Sequence, residues 1–387
     1  MTARPTFPSA ADSVVIGGGA IGSSIAFHLA EAGAGEIVLL ERDQLASGST
    51  SKAAGGIRAQ FSTPANIALS TLSIKRFAEF ETRPGANIDF AQNGYLFVLS
   101  RQEDVDAFKH SIILQAQYGV ESRLLTVKEI HDLVPFLNLD GILAGAYCAT
   151  DGSVTPEAVV QGYASGARRH GAQILTQCPV DTIETSGGHI TGVSTPRGSI
   201  STPRVICAAG AWASEIGAMA GVDLPVRPQR QQIVYTEQIS GLPPNLPTIV
   251  DFATGLYVHQ DGASLLLGRA DPDEPSGVST HRSDDWLPYL YAAVTQRLPM
   301  LDDIGLRGGW AGLYELTADH HPVIGHSTTV GGFYFAAGFS GHGLMHAPAI
   351  GEIVRDLVLG MPPVIDMSPF ALERFERGEL LHESNAI

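Results

Sequence analysis

Gly17, Gly19 and Gly22 stand at G-x-G-x-x-G spacing in the run Ser13-Val14-Val15-Ile16-Gly17-Gly18-Gly19-Ala20-Ile21-Gly22, and Glu41 follows 24 residues after Gly17. Glycines at these intervals let the chain turn sharply, bring backbone against a pyrophosphate, and allow a helix to pack closely on a strand. An acid about 20 residues further on can accept hydrogen bonds from ribose hydroxyls. The chemistry open to this set is dinucleotide binding, with phosphates at a helix N-terminus. His342 and His346, at i,i+4 spacing, could offer two imidazoles to a metal, but no H-E-x-x-H accompanies them and no metal site is expected.

Such residues need a strand before them and a helix after. Residues 14–16 read as a buried strand, 25–30 as an apolar helix, and 36–41 as a second strand ending in Glu41, which makes one βαβ unit. Two later apolar runs, residues 205–208 and 332–338, end in small residues and read as further buried strands. Alternation over residues 231–236, 255–259 and 264–268 points to a different sheet, residues 95–99 alternate into a strand, and 173–175, 180–184 and 190–193 read as additional strands. Helices are expected at residues 65–80, 104–118, 126–133, 155–171, 282–298 and 349–359. His320-His321 before Pro322 reads as a turn, and residues 1–11 as a frayed lead. Nucleotide-type segments thus fall at both ends and in the middle of the chain. The expected fold is mixed α/β, with a Rossmann-like dinucleotide domain (12–90, 151–222, 310–380) interleaved with a mostly antiparallel substrate domain (91–150, 223–309).

Composition narrows the partners. The 387 residues are 44% apolar and 17% charged, which suits a globular chain with two full cores. The net charge of −16 repels phosphate backbones and anionic membranes, so no nucleic-acid partner is expected. Residues 14–30 lack Asp, Glu, Lys and Arg, but the glycine cluster reads as a buried nucleotide fold and no membrane span is expected. Asp12 and the absence of a basic region beyond Arg4 argue against a signal peptide. Cys148, Cys178 and Cys207 form no C-x-x-C and read as buried thiols of a reducing cytoplasm.

The elements GGGAIG, GSTSKAAGGIR, VICAAGAWAS, GWAGLYELTADHHPVIG and AAGFSGHGLMHAPAIGEIV together resemble the D-amino-acid-oxidase-like family of FAD amine oxidoreductases, of the sarcosine oxidase, glycine oxidase and L-proline dehydrogenase beta-subunit type. The resemblance covers about residues 12–375. It implies FAD contacts at Gly17, Gly19, Ala20, Ile21, Gly22, Glu41 and Arg42, and along Gly48, Ser49, Thr50, Ser51 and Lys52. It implies more at Val180, Gly210, Trp212 and Gly312, and at Gly338, Gly341, His342, Gly343, Leu344 and Met345. Arg58 corresponds to the arginine that binds substrate carboxylate, a task that suits its planar fork. Tyr314 is placed near the substrate, His342 beside the flavin. No second G-x-G-x-x-G occurs, so the single dinucleotide must itself be the redox cofactor.

Three departures from the family matter. Gly312 stands where some members carry a tethering cysteine and Lys52 where others carry a tethering histidine, so FAD is expected to be non-covalent. Met345 replaces a second carboxylate-binding cation. The lysine that assists oxygen above the flavin has no counterpart, because no lysine follows Lys128; Arg269 is the cation that could stand in for it. The expected reaction is oxidation of a C–N bond in a small primary or secondary amino acid to an imine that hydrolyses. The alternatives are a dehydrogenase subunit that passes electrons to a protein acceptor or partner subunit, and a flavin-binding assembly protein without turnover.

Overall fold

The computed structural model describes residues 7–385. At its centre lies a six-stranded sheet in the order Val323–His326, Phe333–Ala337, Val205–Cys207, Ser13–Ile16, Ile37–Leu40, Gln173–Leu175. All neighbours are parallel except Val323–His326, which runs antiparallel to Phe333–Ala337. The apolar runs of Ser13–Ile16 and Ile37–Leu40 are buried on both faces, as a covered parallel sheet requires. The helix Ala20–Glu31 packs on one face between the helices Pro156–Arg169 and Gly343–Val358. Glu352 ties the layer together, accepting from Arg76 Nε at 2.7 Å and Arg83 Nη1 at 3.1 Å.

An eight-stranded sheet forms the second body, in the order Leu306–Leu316, Arg227–Thr236, Ser264–Gly268, Leu256–Asp261, Thr248–Asp251, Tyr95–Leu99, Ala144–Cys148, Ser122–Leu125. Only Thr248–Asp251 and Tyr95–Leu99 pair in parallel. A three-stranded antiparallel sheet, Gly198–Ser201, His189–Thr195 and Thr182–Ser186, completes the main layers. The mixed α/β architecture with a Rossmann-like part and a mostly antiparallel part is thus the one expected. The segment 310–380 is grouped by its sequence with the nucleotide segments, yet its first residues lie in the long edge strand Leu306–Leu316 of the eight-stranded sheet, paired to Arg227–Thr236.

Several boundaries differ from expectation for local reasons. The last long helix begins at Gly343, not 349, and carries Pro348 inside it. A proline there leaves the Leu344 carbonyl without its helical N–H, a cost that tertiary packing overrides. The helix expected from 282 begins at Leu287. Before it, Ser283 Oγ donates to Asp285 and accepts from the Asp285 N–H, a local turn that competes with helix. The strands Ala144–Cys148 and Leu306–Leu316 have no counterpart in the sequence reading, because glycine and alanine weaken their β signal. The lead is not frayed where it is described. The Ala11 N–H donates to Ser201 O at 2.9 Å and the Ser201 N–H to Ser9 O at 3.0 Å, while residues 1–6 lie outside the described residues. His320 and His321 form the expected turn, with His320 at φ 57°. Among the described residues no helix is long and apolar enough to cross a membrane, and the three cysteines are free and buried.

Candidate active site

A cavity of about 740 Å³ runs from the glycine loop, along the edge of the six-stranded sheet, to the face of the eight-stranded one. Gly17 opens the turn at φ 117°, with its N–H on the Leu40 carbonyl. A Cβ on Gly17 would lie 2.3 Å from Ala208 O, and one on Gly22 only 1.9 Å from Gly17 O. These two positions therefore hold strand and helix at a spacing no side chain permits. Glu41 is fixed at the strand end, accepting from the Gly18 N–H at 2.7 Å and the Asp43 N–H at 2.8 Å. Thr50 Oγ1 accepts from the Ala20 N–H at 3.1 Å. The helix Ala20–Glu31 has no acid in its first turn and no cap from its own N-cap residue, so apart from the Thr50 hydroxyl on Ala20 its positive end faces the cavity. Arg42 lies over the Trp212 ring at 3.6 Å.

Midway, Lys52 ends the short 3-10 turn Ser49–Lys52, and Trp310 Nε1 donates to its carbonyl at 3.0 Å. A Cβ on Gly312 would meet Lys52 Cβ at 2.5 Å, so the lysine stem fills the place that a side chain at 312 would take. At the far end the helix Gly343–Val358 also starts without an acid or a side-chain cap, and its Gly343, Leu344 and Met345 line the cavity.

Arg58, Tyr314 and His342 meet at that far end. The Arg58 side chain is 1% exposed and makes no ion pair among the described residues. Its Nη1 donates to Gln60 O at 2.9 Å, and Nη2 to Asn385 O at 3.0 Å and to His342 Nε2 at 3.2 Å. An arginine only donates, so His342 accepts through Nε2 and carries its proton on Nδ1. Burial, then the Arg58 charge, pushes His342 well below its ordinary value, and the same causes push His346 down to about 3. Both imidazoles are neutral, and His346 Nε2 is engaged with Ser70 Oγ at 2.9 Å. Burial raises the Tyr314 hydroxyl pKa while Arg58 opposes it. The far end therefore presents the Arg58 charge beside neutral imidazoles and phenols, with the buried Asp151 carboxyl, raised by burial to about 6, held nearby on the Ala59 N–H and Gln60 Nε2.

Nineteen of the 22 cofactor positions expected from sequence line this cavity; Gly22, Ser51 and Gly338 do not. Gly22 acts through packing, and Gly338 donates its N–H to Glu315 Oε2 at 3.0 Å. Arg269 reaches the wall, but its Nε donates to Thr254 O at 2.7 Å and its guanidinium stacks on Tyr289 at 3.6 Å, so its charge is held at the rim. Among the wall residues that escaped the sequence reading, three carry polar chemistry near Arg58 and Tyr314: Tyr95, Tyr257 and Glu315. Tyr95 and Tyr257 sit on strands recognised only by alternation, and the Tyr257 hydroxyl has no partner among the described residues. Glu315 follows Tyr314 directly, and only that adjacency could have signalled it.

Burial pushes the Glu315 carboxyl up to about 7, against the hydrogen bond it accepts from Gly338. Its folded pKa lies above the unfolded one, so the stability it allows is complete below about 4.5 and is lost as pH rises through about 7. Glu315→Gln should therefore gain stability relative to wild type between pH 5 and pH 8, by up to about 3 kcal/mol in denaturant unfolding. An unchanged difference between the two pH values would refute this.

Two helix N-termini without an acid in their first turn, a fixed ribose-type acid and a cavity of this volume fit a dinucleotide with a ring system at its far end. The chain matches the family DAO, FAD dependent oxidoreductase, over residues 12–357, and it belongs to that family; its cofactor is FAD. Among relatives, human mitochondrial sarcosine dehydrogenase is 32% identical over 389 residues, covering 96% of this chain and 42% of that protein. Dimethylglycine dehydrogenase of Rattus norvegicus is 31% identical, covering 94% and 45% respectively. The chain thus spans under half the length of these curated relatives. The solved structure of L-proline dehydrogenase from P. horikoshii superposes with a TM-score of 0.91 at 33% identity, covering 97% of this chain and all of that one.

Proposed function

We propose that this chain oxidises the C–N bond of a small primary or secondary amino acid to an imine that hydrolyses in water. The observation that carries the reading is Arg58, a buried guanidinium with no carboxylate partner among the described residues, in the wall of the FAD cavity. A desolvated cation of this kind favours an anionic ligand, and a carboxylate matches its fork. FAD, when bound, accepts the hydride equivalent released from the carbon next to nitrogen. The protein's part is orientation. Arg58 holds the carboxylate end, neutral His342 supports the guanidinium, and the Tyr314 and Tyr257 side chains shape the wall. An amine bound without its extra proton becomes an iminium once the hydride leaves, so no strong base is required. The loss of the second cation at Met345 leaves room for a larger or less charged substrate. The buried free thiols support a reducing compartment such as the cytoplasm.

The reading is tested by anaerobic mixing with a panel of amino acids: at least one should bleach the flavin. A panel that bleaches nothing would favour a flavin-binding protein without turnover.

Two further results are expected. FAD should be released by acid precipitation, leaving a colourless pellet, because Gly312 offers no nucleophile and Lys52 stands at the other tether position. A pellet that stays yellow after washing would refute non-covalent binding. Turnover with an artificial dye should exceed turnover with air roughly a hundredfold or more, since a missing cation costs superoxide formation several kcal/mol. The rim position of Arg269 supports this, as its charge is tied to Thr254 and Tyr289. Lys52 is the one ammonium on the cavity wall. Equal rates with air and dye would mark the chain as an oxidase, and Arg269→Met and Lys52→Met would then locate the cation responsible.

A further inference from the structure

The Arg58 guanidinium is held by a segment 327 residues away in sequence. Asn385, fully buried, places its carbonyl on Arg58 Nη2, while its Nδ2 donates to Gln60 O at 3.2 Å. Glu383 docks the same segment onto the start of the helix Pro64–Ala78. Its Oε1 accepts from the Ser62 N–H at 2.6 Å and Ser62 Oγ at 2.5 Å, and its Oε2 from Thr63 Oγ1 and Asn66 Nδ2, both at 3.1 Å. That helix has no acid in its first turn, and its N-cap Thr63 makes no capping bond, so Glu383 supplies the missing negative charge from outside. The Ser384 N–H donates to Ser62 Oγ at 2.7 Å and the Asn385 N–H to Glu383 Oε1 at 3.1 Å. Upstream, the root of the segment is tied separately, through Arg374 Nε to Asp319 Oδ2 at 2.8 Å and the Leu381 N–H to the same oxygen at 3.2 Å. Exposed His382 lies between the two anchorages.

A carboxylate bound in a fork takes two parallel N–H groups, from Nε and Nη2 or from Nη1 and Nη2. Both forks use Nη2. Here the two Nη2 hydrogens are spent, one on Asn385 O and one on His342 Nε2. His342 is the cap residue of a long buried helix, whereas Asn385 belongs to a docked segment with an exposed joint at His382. We propose that residues 383–385 form a latch that competes with the substrate carboxylate for Arg58 and must release before the carboxylate can be held in a fork. The latch rests on the reading of Arg58 as the carboxylate site. Glu383 and Asn385 are then positioning residues that set the fraction of molecules able to bind, and apparent affinity scales with that fraction.

The test uses FAD-loaded protein and acetate, a carboxylate with no amine to oxidise, titrated by the change in flavin absorbance. Glu383→Gln weakens an acceptor of five hydrogen bonds and should lower the acetate Kd, by about tenfold if the wild-type latch is open one time in ten. Hydrogen exchange on the wild-type protein supplies the second measurement: saturating acetate should speed exchange at the amides of Ser384 and Asn385. An acetate affinity unchanged by Arg58→Met overturns the reading of Arg58 and the latch with it. Affinity lost in Arg58→Met but unchanged or weakened in Glu383→Gln, with no faster tail exchange, overturns the latch alone. If the Glu383→Gln protein does not fold, the exchange result on wild type decides.

Discussion

Arg58→Ala is expected to raise the Kd for the amino-acid substrate by roughly 30-fold to 5,000-fold, the equivalent of about 2–5 kcal/mol for one partner of a desolvated charge pair. Flavin content should change little, because the Arg58 side chain is bonded to Gln60, His342 and Asn385 and makes no contact with the glycine loop. Arg58→Lys should recover only part of the loss. A lysine keeps the charge but cannot present two parallel donors, and it cannot reproduce the stack over Phe61, whose ring lies 4.1 Å below the guanidinium. In Arg58→Ala, His342 would lose the positive neighbour that adds to burial in holding its pKa down. The measurement is reductive titration under nitrogen with the best substrate of the panel. Unchanged binding in Arg58→Ala would return Arg58 to a structural role.

Gly22→Ala is expected to yield protein without flavin. Alanine is normally the better helix residue, by about 1 kcal/mol. Here the added carbon would stand 1.9 Å from the Gly17 carbonyl oxygen, which is backbone and cannot rotate aside. The helix Ala20–Glu31 must then shift off the strand Ser13–Ile16, and its N-terminus leaves the phosphate position. Overpacking of this kind costs about 1–3 kcal/mol or more. Flavin absorbance per chain and the thermal midpoint check it. Gly33→Ala serves as a contrast, because nothing lies within 4 Å of its Cβ position; only its φ of 66° opposes the change. Full flavin content and an unshifted midpoint in Gly22→Ala would contradict the packing argument.

The parts of this site that were readable in advance are those in which chemistry imposes a spacing along the chain. Gly17, Gly19, Gly22 and Glu41 serve one turn and the strand beside it, so the pattern sits within a few dozen residues. Arg58, Tyr314 and His342 could be brought together only through resemblance, because they stand on a loop, an edge strand and a helix cap. Asn385 gives no sign in sequence of its place on Arg58, because the contact joins positions 327 residues apart. Pro348 misled the boundary of the last long helix, since local propensity favours a start after proline while burial of the helix along nearly its whole length holds it from Gly343. The edge strand Leu306–Leu316 was hidden by Gly308, Gly309 and Gly312, which erase alternation in a strand held by long-range pairing with Arg227–Thr236.

The strand order of the central sheet has a consequence for synthesis. Ser13–Ile16 can pair with Ile37–Leu40 as soon as both have left the ribosome, but its other neighbour is Val205–Cys207, and that strand's outer partner is Phe333–Ala337. Until Val205–Cys207 has been made, the apolar edge of the first βαβ unit has no strand beside it. Closure of the sheet waits for Phe333–Ala337, almost 300 residues after Ile37–Leu40. Contacts of such high sequence separation slow folding, and an uncovered edge invites aggregation. Folding yield in the cell should therefore depend on chaperone supply and elongation rate more than that of a chain whose strands pair in sequence.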